Sequence, residues 1–580
     1  MRKKMNSPVL LPASAVNPPG CKGASVWVGL WALLMSGAWL IPNHYRPWPS
    51  FHADTVSGFA MLLLAACLLI KVTKEIEWNA MSLVVLGLSG VPLGQWLGGL
   101  LPFAGQAWMA TTYLLGALIS MQIGQLWRHK NGEQCESAIF LAVGIGGVVS
   151  VGLQLFTWLG LQNGGLHDIW SMGLVNGRPY ANMGQPNQLA TLLLWGILAA
   201  AWGYQSGKIS AISALLLAAY LLVGVALTQS RTAWIGLSFM LAATWLWRAH
   251  WRSHWLPWCS IGLFALFWFY PIMLQWLSSS LLISSDEPLI RLQIAGENRH
   301  QALMLFAKAA MTRPWLGYGW AEVGVAQMEV AAELPGLGMT FGHSHNLFMD
   351  LVLWMGIPMG MVVATAIVAG YIHYIRAICS GSHLILVMFL GVIGIHSMLE
   401  LPLHYAYFLL PAAMVMGVLN VRSELGVVRK SGRWVLWVLW LAAALLYAGI
   451  VRDYFKVEAN YQSLRFERAR VGTLPVEPPP DVLLLTQLRA LLRFMRYDFQ
   501  PGMTTTELQW ASNVANSFPS GANLYRVASA LAVNDKAGEA QQWLRKVCKV
   551  VSRLECEQIR LAWARDAATN ERVAKVKWPD

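Results

Sequence analysis

Apolar stretches long enough to cross a bilayer recur along this chain, near residues 25–41, 55–70, 81–98, 107–127, 138–160, 188–204, 209–227, 233–248, 256–276, 345–375, 383–400, 404–420 and 434–452. A hydrocarbon core about 30 Å thick takes roughly 20 helical residues. With no water inside it, every backbone N–H and C=O of a helix must bond within its own segment. Thirteen such windows, give or take one, specify an all-α, polytopic helical membrane protein. Composition agrees: 56% of the 580 residues are hydrophobic, 12% are charged and 30 are tryptophan, too apolar a mixture for a soluble domain. The start, MRKKMNSPVLLPASAVNPPGCKG, is basic but leads into Pro and Gly rather than an apolar core with an A-x-A site, so the first span reads as retained.

Orientation follows from the cations, which collect in short cytoplasmic loops. With the N-terminus inside, alternate loops hold Arg2, Lys3, Lys4, Lys71, Lys74, Arg128, Lys130, Lys208, Arg248, Arg252, Arg376, Arg422, Arg429, Lys430 and Arg433. The opposite loops hold only Arg46, Arg178, Arg231 and four cations in a long segment near 277–343, and these exceptions need a reason. An odd number of spans puts the tail, 453–580, outside, in the periplasm of a Gram-negative cell. The net charge of +13 then follows from topology, and nucleic acid is not required.

The tail changes character near Asp453, where charge rises, and LPVEPPPD marks a proline-rich break near 474–481. It reads as a separate soluble unit. ANLYRVASALAVNDKAGEAQQWLRKVCKV predicts a helical hairpin about NDKAG, and a tetratricopeptide-like pair is one reading of it. Of the seven cysteines, only Cys548 and Cys556 share the tail. They either pair outside the cell or stay as thiols, since one continuous helix separates them by about 12 Å, too far to bridge.

The unusual polar residues converge on the outer ends of the spans: RPYANMGQPNQLA (178–190), TQSRTAW (228–234), RLQIAGENRHQALMLFAKAAMTRPWLGYGW (291–320) and GHSHNLFMD (342–350). No D-x-D pair, H-E-x-x-H, P-loop or dinucleotide glycine fingerprint occurs, which argues against metal-nucleotide chemistry. What remains is histidine, whose intrinsic pKa is near neutral, beside arginines whose planar guanidinium grips phosphate oxygens in bidentate fashion. That combination suits transfer from a phosphate-linked lipid donor. Arginines neutralise a diphosphate leaving group while a histidine takes the proton of an attacking hydroxyl.

These stretches resemble the O-antigen ligase-like superfamily, and within it the bacterial protein O-oligosaccharyltransferases. SHNLFMDLVLWMGIPMG (344–360) is similar to the family's H-N-x-x-x-[QD] helix opening with its Gly-Ile-Pro break, and SRTAWIG (230–236) to its arginine motif at the outer end of a middle helix. The run from Arg299 to PWLGYGW (314–320) resembles the arginine-to-Gly-x-Gly stretch of the large periplasmic loop. GQPNQLA (184–190) and HSMLELPLHYAYFLLP (396–411) are most like the protein-glycosylating branch, which also carries a C-terminal soluble extension. Residues 1–160 match in hydropathy only.

The resemblance implies a GT-C-like array of about 12–14 transmembrane helices over 1–452, including the loop 277–343, with a small helical domain over 453–580. It implies transfer of an oligosaccharide en bloc from polyprenyl (undecaprenyl) diphosphate to Ser or Thr of periplasmic or pilin-like proteins, inverting the anomeric centre, with no cofactor and no metal. His345 is then the catalytic residue, and Arg231, Arg299 and, ranking after them, Arg291 contact the donor diphosphate. Gln185, Asn187, His343, Asn346 and Glu400 are expected to touch glycan or acceptor. His343 lies outside a helix beginning near Ser344 and reads as a groove or packing residue, and a metal at His343 and His345 needs at least one more ligand. Asp350, one turn after Asn346, reads as a buried polar anchor. Arg313 and Lys308 read as ordinary loop charges. The rival readings are an O-antigen ligase acting on a lipid A-core, a polymerase, and, from another class, a transporter, which predicts polar residues at the bilayer midplane rather than at one face.

Overall fold

The computed structural model describes residues 22–71, 75–162, 164–174, 178–280, 296–472 and 477–579. Its helices, in chain order, are α1 Lys22–Leu40, α2 Phe51–Leu69, α3 Ala80–Leu97, α4 Ala104–Asn131, α5 Gln134–Trp158, α6 Pro186–Gln205, α7 Ala211–Thr228, α8 Arg231–Leu246, α9 Leu256–Ser280, α10 Gly296–Thr312, α11 Val323–Val330, α12 Leu347–Arg376, α13 Gly381–Ser397, α14 Ala406–Arg422 and α15 Arg433–Ala469. The tail adds α16 Thr486–Arg496, α17 Thr505–Ser517, α18 Gly521–Val533, α19 Ala537–Val550, α20 Arg553–Thr569 and α21 Glu571–Ala574. Each of the thirteen apolar windows lies on a helix, α1–α9 and α12–α15. Among the described residues, seven of these are long and apolar enough to cross a membrane by length and composition alone: α2, α3, α5, α7, α9, α12 and α15. The protein is a polytopic helical membrane protein.

Among the described residues, two short strands depart from the all-helical expectation. β1 (Ile76–Asn79) pairs antiparallel with β2 (Val427–Ser431), Ile76 opposite Ser431 and Trp78 opposite Arg429. The α2–α3 and α14–α15 connections therefore lie on one side, as the cation pattern requires. Arg128 and Arg422 converge there on the buried Glu136, each 2.9 Å from its Oε1. The starts of α6, α8 and α12 and the end of α13 meet at the opposite face, together with the tail.

Between the faces the helices close around Trp195, whose ring stacks on Phe389 at 3.8 Å while its Nε1–H donates to the Phe389 carbonyl. That bond satisfies the indole N–H where no water can reach.

α12 is broken at Gly356 (φ 80, ψ 166), two residues before Pro358. The break frees the Leu353 carbonyl and the Ile357 N–H, and the segment after α10 takes up both: Tyr318 N–H donates to Leu353 O and Ile357 N–H to Pro314 O, each at 2.7 Å. The approach is so close that a Cβ on Gly356 would lie 2.2 Å from the Trp315 carbonyl. The Gly-x-Gly stretch and the Gly-Ile-Pro break are two halves of one contact.

α15 carries the last span into the tail without interruption, 37 residues and about 55 Å at 1.5 Å per residue. The charge shift near Asp453 is not a break in the chain. Asp453 instead accepts from the Leu484 and Leu485 N–H groups at 2.5 and 3.4 Å, folding the proline-rich return against α15. α18 and α19 form the hairpin about NDKAG, Leu524, Val527 and Leu531 packing with Leu544 and Val547. Met328 and Ala331, which follow α10 in the long loop, belong to the same core. Cys548 and Cys556 form a disulfide with their Cα atoms 5.0 Å apart. The helix does not continue between them: it stops at Val550, and the Ser552 hydroxyl caps α20 by accepting from Glu555 N–H at 3.2 Å.

Candidate active site

Asn346 opens α12 by capping it, its Oδ1 accepting from the Phe348 and Met349 N–H groups at 3.0 and 3.1 Å. Asp350, one turn on and buried, accepts from the Ser344 N–H at 2.8 Å and so ties the preceding turn down onto the helix. Asp350 is an anchor, as its spacing suggests, but for the backbone of Ser344 rather than for Asn346.

Between these restraints His345 sits in the left-handed region, φ 61. Its Nδ1 lies 3.3 Å from the Leu399 carbonyl and 3.9 Å from Glu400 Oε2. A carbonyl only accepts, so Nδ1 carries the hydrogen in that bond and Nε2 keeps the lone pair. The side chain is 33% exposed, whereas that of Glu400 is 13% exposed. A substrate hydroxyl reaches the imidazole more readily than the carboxylate.

His343 sets its ring edge-on to it, centroids 4.2 Å apart and planes inclined at 65°. Burial, with His345 and His404 nearby, pushes the His343 pKa down to about 3. An imidazole that resists protonation in this way is a poor proton acceptor. His404, on the turn Pro402–His404, has its ring 5.2 Å from that of Trp354.

Glu400 is the hub. Its Oε2 accepts from Gln185 Nε2 at 2.8 Å and its Oε1 from Asn187 Nδ2 at 3.0 Å. Asn187 Oδ1 in turn accepts from the Ser230 hydroxyl at 2.5 Å, and Ser230 Oγ caps α8 by accepting from Ala233 N–H at 3.4 Å. Arg231 is the next residue, exposed at the first position of α8, where the helix dipole also favours an anion. One polar chain thus runs from the His345 pocket to the start of the arginine helix. Gln185 and Asn187, expected to touch glycan, spend these hydrogen bonds on the protein. Ser230 was not singled out by sequence, although a serine just ahead of an apolar helix is an N-cap signature.

Arg291 falls outside the described residues, and of Arg299 only the backbone is described, in the first turn of α10. Arg313 pairs with Glu329 at 2.9 Å and Lys308 with Glu333 at 3.2 Å. Arg178, an outside cation that needed a reason, has a structural one: its guanidinium donates to the Thr228 and Gln229 carbonyls that end α7.

His343, His345 and Glu400 each offer one ligand atom within 4.8 Å of the others, so Glu400 is the further partner that a cation at the two histidines needs. Both Glu400 oxygens already accept amide hydrogens, and His345 Nδ1 is committed to a carbonyl.

Comparison with known proteins bears on the same residues. Residues 215–364 match the O-antigen ligase family model, 384–550 the model for the C-terminal part of a virulence factor membrane-bound polymerase, and 179–202 the protein glycosylation ligase model. A general O-oligosaccharyltransferase of Acinetobacter baylyi is 28% identical over 526 residues, 88% of this chain and 90% of that protein. A ComP-specific O-oligosaccharyltransferase of the same organism is 29% identical over 251 residues, 43% of this chain and 45% of its own length.

Proposed function

We propose that the chain, whose residues 215–364 match the O-antigen ligase family model, is a protein O-oligosaccharyltransferase, moving an oligosaccharide en bloc from polyprenyl (undecaprenyl) diphosphate to Ser or Thr of periplasmic or pilin-like proteins. The observation that carries the reading is His345, tied through Nδ1 to the Leu399 carbonyl and presenting the Nε2 lone pair beside the polar chain that leads to Arg231. His345 takes the acceptor hydroxyl's proton as that oxygen bonds to the anomeric carbon. The glycosidic bond to the diphosphate breaks, and the leaving diphosphate keeps the electron pair. Arg231 and Arg299, with Arg291, neutralise it, and configuration inverts in the single displacement. Glu400 holds the frame, and no metal takes part.

The protein sits in the bacterial inner membrane with the His345 face and residues 453–580, a soluble helical domain, in the periplasm. A disulfide at Cys548 and Cys556 supports that side as the oxidising one.

The test is transfer of a defined lipid-linked glycan to an acceptor protein by the purified chain in proteoliposomes. His345→Ala is expected to fold and bind donor while transfer falls by about 10²–10⁴, the scale of general acid–base assistance. Near-normal turnover in the folded variant removes the role. In a deletion strain, loss of glycopeptides with unchanged lipopolysaccharide is expected, and the reverse selects an O-antigen ligase.

A further inference from the structure

The loop that delivers His345 is held from outside the membrane, by the tail. Leu337 and Gly338 both donate their N–H groups to the Lys549 carbonyl, at 3.0 and 3.2 Å. Lys549 follows Cys548 at the end of α19, inside the bend closed by the disulfide to Cys556. The loop lies flat on that bend. A Cβ at Gly336 would come 2.9 Å from Lys549 Cα and 3.2 Å from the Cys548 carbonyl, closer than real side chains pack against backbone. Gly338 follows in the left-handed region, φ 67.

A second grip lies just downstream. Gln327 of α11, 1% exposed, donates through Nε2 to the Met339 carbonyl and accepts through Oε1 from the Phe341 N–H, both at 2.8 Å. Phe341 then sets its ring edge-on against Phe306 of α10 at 5.6 Å and against His345 at 5.9 Å. From the disulfide bend to the imidazole, the chain is fixed at nearly every step, first by the tail, then by α11, then by ring contacts.

We propose that the α19–α20 bend and Gln327 are positioning elements of the transferase centre, so that the tail is part of the active-site scaffold and its disulfide sets the placement of His345. This rests on the transferase reading above. It assigns the tail a role in turnover. A tail that only recruits acceptors would alter acceptor KM and leave the loop and kcat unchanged.

The experiment measures hydrogen exchange and transfer on the full-length chain in nanodiscs, for wild type, Cys548→Ser/Cys556→Ser, Gly336→Val and Gln327→Met. In each variant, peptides covering 334–346 are expected to exchange at least about tenfold faster while those of α16–α18 keep their protection. The kcat for transfer is expected to fall about tenfold or more, with donor binding unchanged. Gly336→Val leaves the disulfide in place, so it reports on the contact even where the cysteine variant loosens the whole tail. Unchanged protection of 334–346, or loosening of that loop with wild-type kcat, overturns the proposal. If wild type itself transfers nothing from a polyprenyl diphosphate donor, the functional reading fails on its own, and the exchange data still decide whether the tail holds the loop.

Discussion

Glu400→Gln is the sharpest test of how the site is held together. The carboxylate accepts one amide N–H on each oxygen, from Gln185 and from Asn187, and is largely withdrawn from solvent. Glutamine keeps the shape but removes the charge and turns one acceptor into an N–H₂ group that faces an amide donor. At least one charge-assisted hydrogen bond is lost, about 1.5–3 kcal/mol, which is roughly 10- to 150-fold in the population of correctly held sites at about 1.4 kcal/mol per tenfold. Transfer in proteoliposomes is expected to fall by that factor, with donor binding reduced less because Arg231 remains. Asn187→Asp alone sets two carboxylates together and is expected to be as harmful. Combined, Asn187→Asp and Glu400→Gln restore one donor–acceptor pair, while the carboxylate introduced at position 187 still accepts from Ser230. The double variant is therefore expected to recover several-fold over either single one. A double-mutant cycle reads this coupling directly. Wild-type turnover in Glu400→Gln, or a double variant no better than the product of the singles, refutes the hub.

Arg231→Ala and Arg299→Ala are expected to weaken donor binding as well as turnover, measured by lipid-linked donor titration, and lysine is expected to rescue them only partly because it lacks the bidentate fork. His343→Ala is expected to be milder than His345→Ala in the transfer assay, since a buried imidazole that resists protonation is a weak base. Transfer is expected to survive EDTA at constant donor supply; inhibition reversed by a divalent ion would instead assign a cation to His343, His345 and Glu400. Glu322, buried where Gln106 of α4 and Ser517 of α17 both donate to it, has its pKa pushed up to about 7 by burial. A carboxyl raised on folding stabilises the fold fully below its unfolded pKa near 4.5 and loses that contribution as pH rises through 7, so Glu322→Gln is expected to raise the melting temperature at pH 8 and to flatten the decline between pH 5 and 8.

The apolar helices were legible because lipid imposes a one-dimensional rule on length, and the β1–β2 pairing joins two connections that the cation pattern puts on one side. The site was legible as a place and only partly as a mechanism. GHSHNLFMD marked the right helix start, yet the partners of Glu400 are 213 and 215 residues away in sequence, and no local pattern announces such a pairing. The disulfide had a local signal: Ser552-Arg-Leu-Glu555 has the form of a capping box, and a new helix start between Cys548 and Cys556 is what brings them together. Arg178 and Arg231 share the same outer face and the same apparent breach of the cation rule, and sequence alone does not reveal that Arg178 spends its guanidinium on the end of α7.

His345 shows why local reading stops short of the chemistry. A left-handed backbone costs a side chain with a Cβ on the order of 1–2 kcal/mol, and although histidine adopts it more readily than most residues, S-H-N alone does not specify it. The conformation is held by groups that are remote or non-local: Asp350 on the Ser344 N–H, the Leu399 carbonyl on the imidazole, and Gln327 on Phe341. Several independent restraints imposing one unfavourable backbone angle are what a fold requires when the direction of a ring matters more than the comfort of its backbone. Those restraints come from α11, α12 and the end of α13, and the loop between them rests on the tail. The aim of the imidazole is therefore a property of the assembled face.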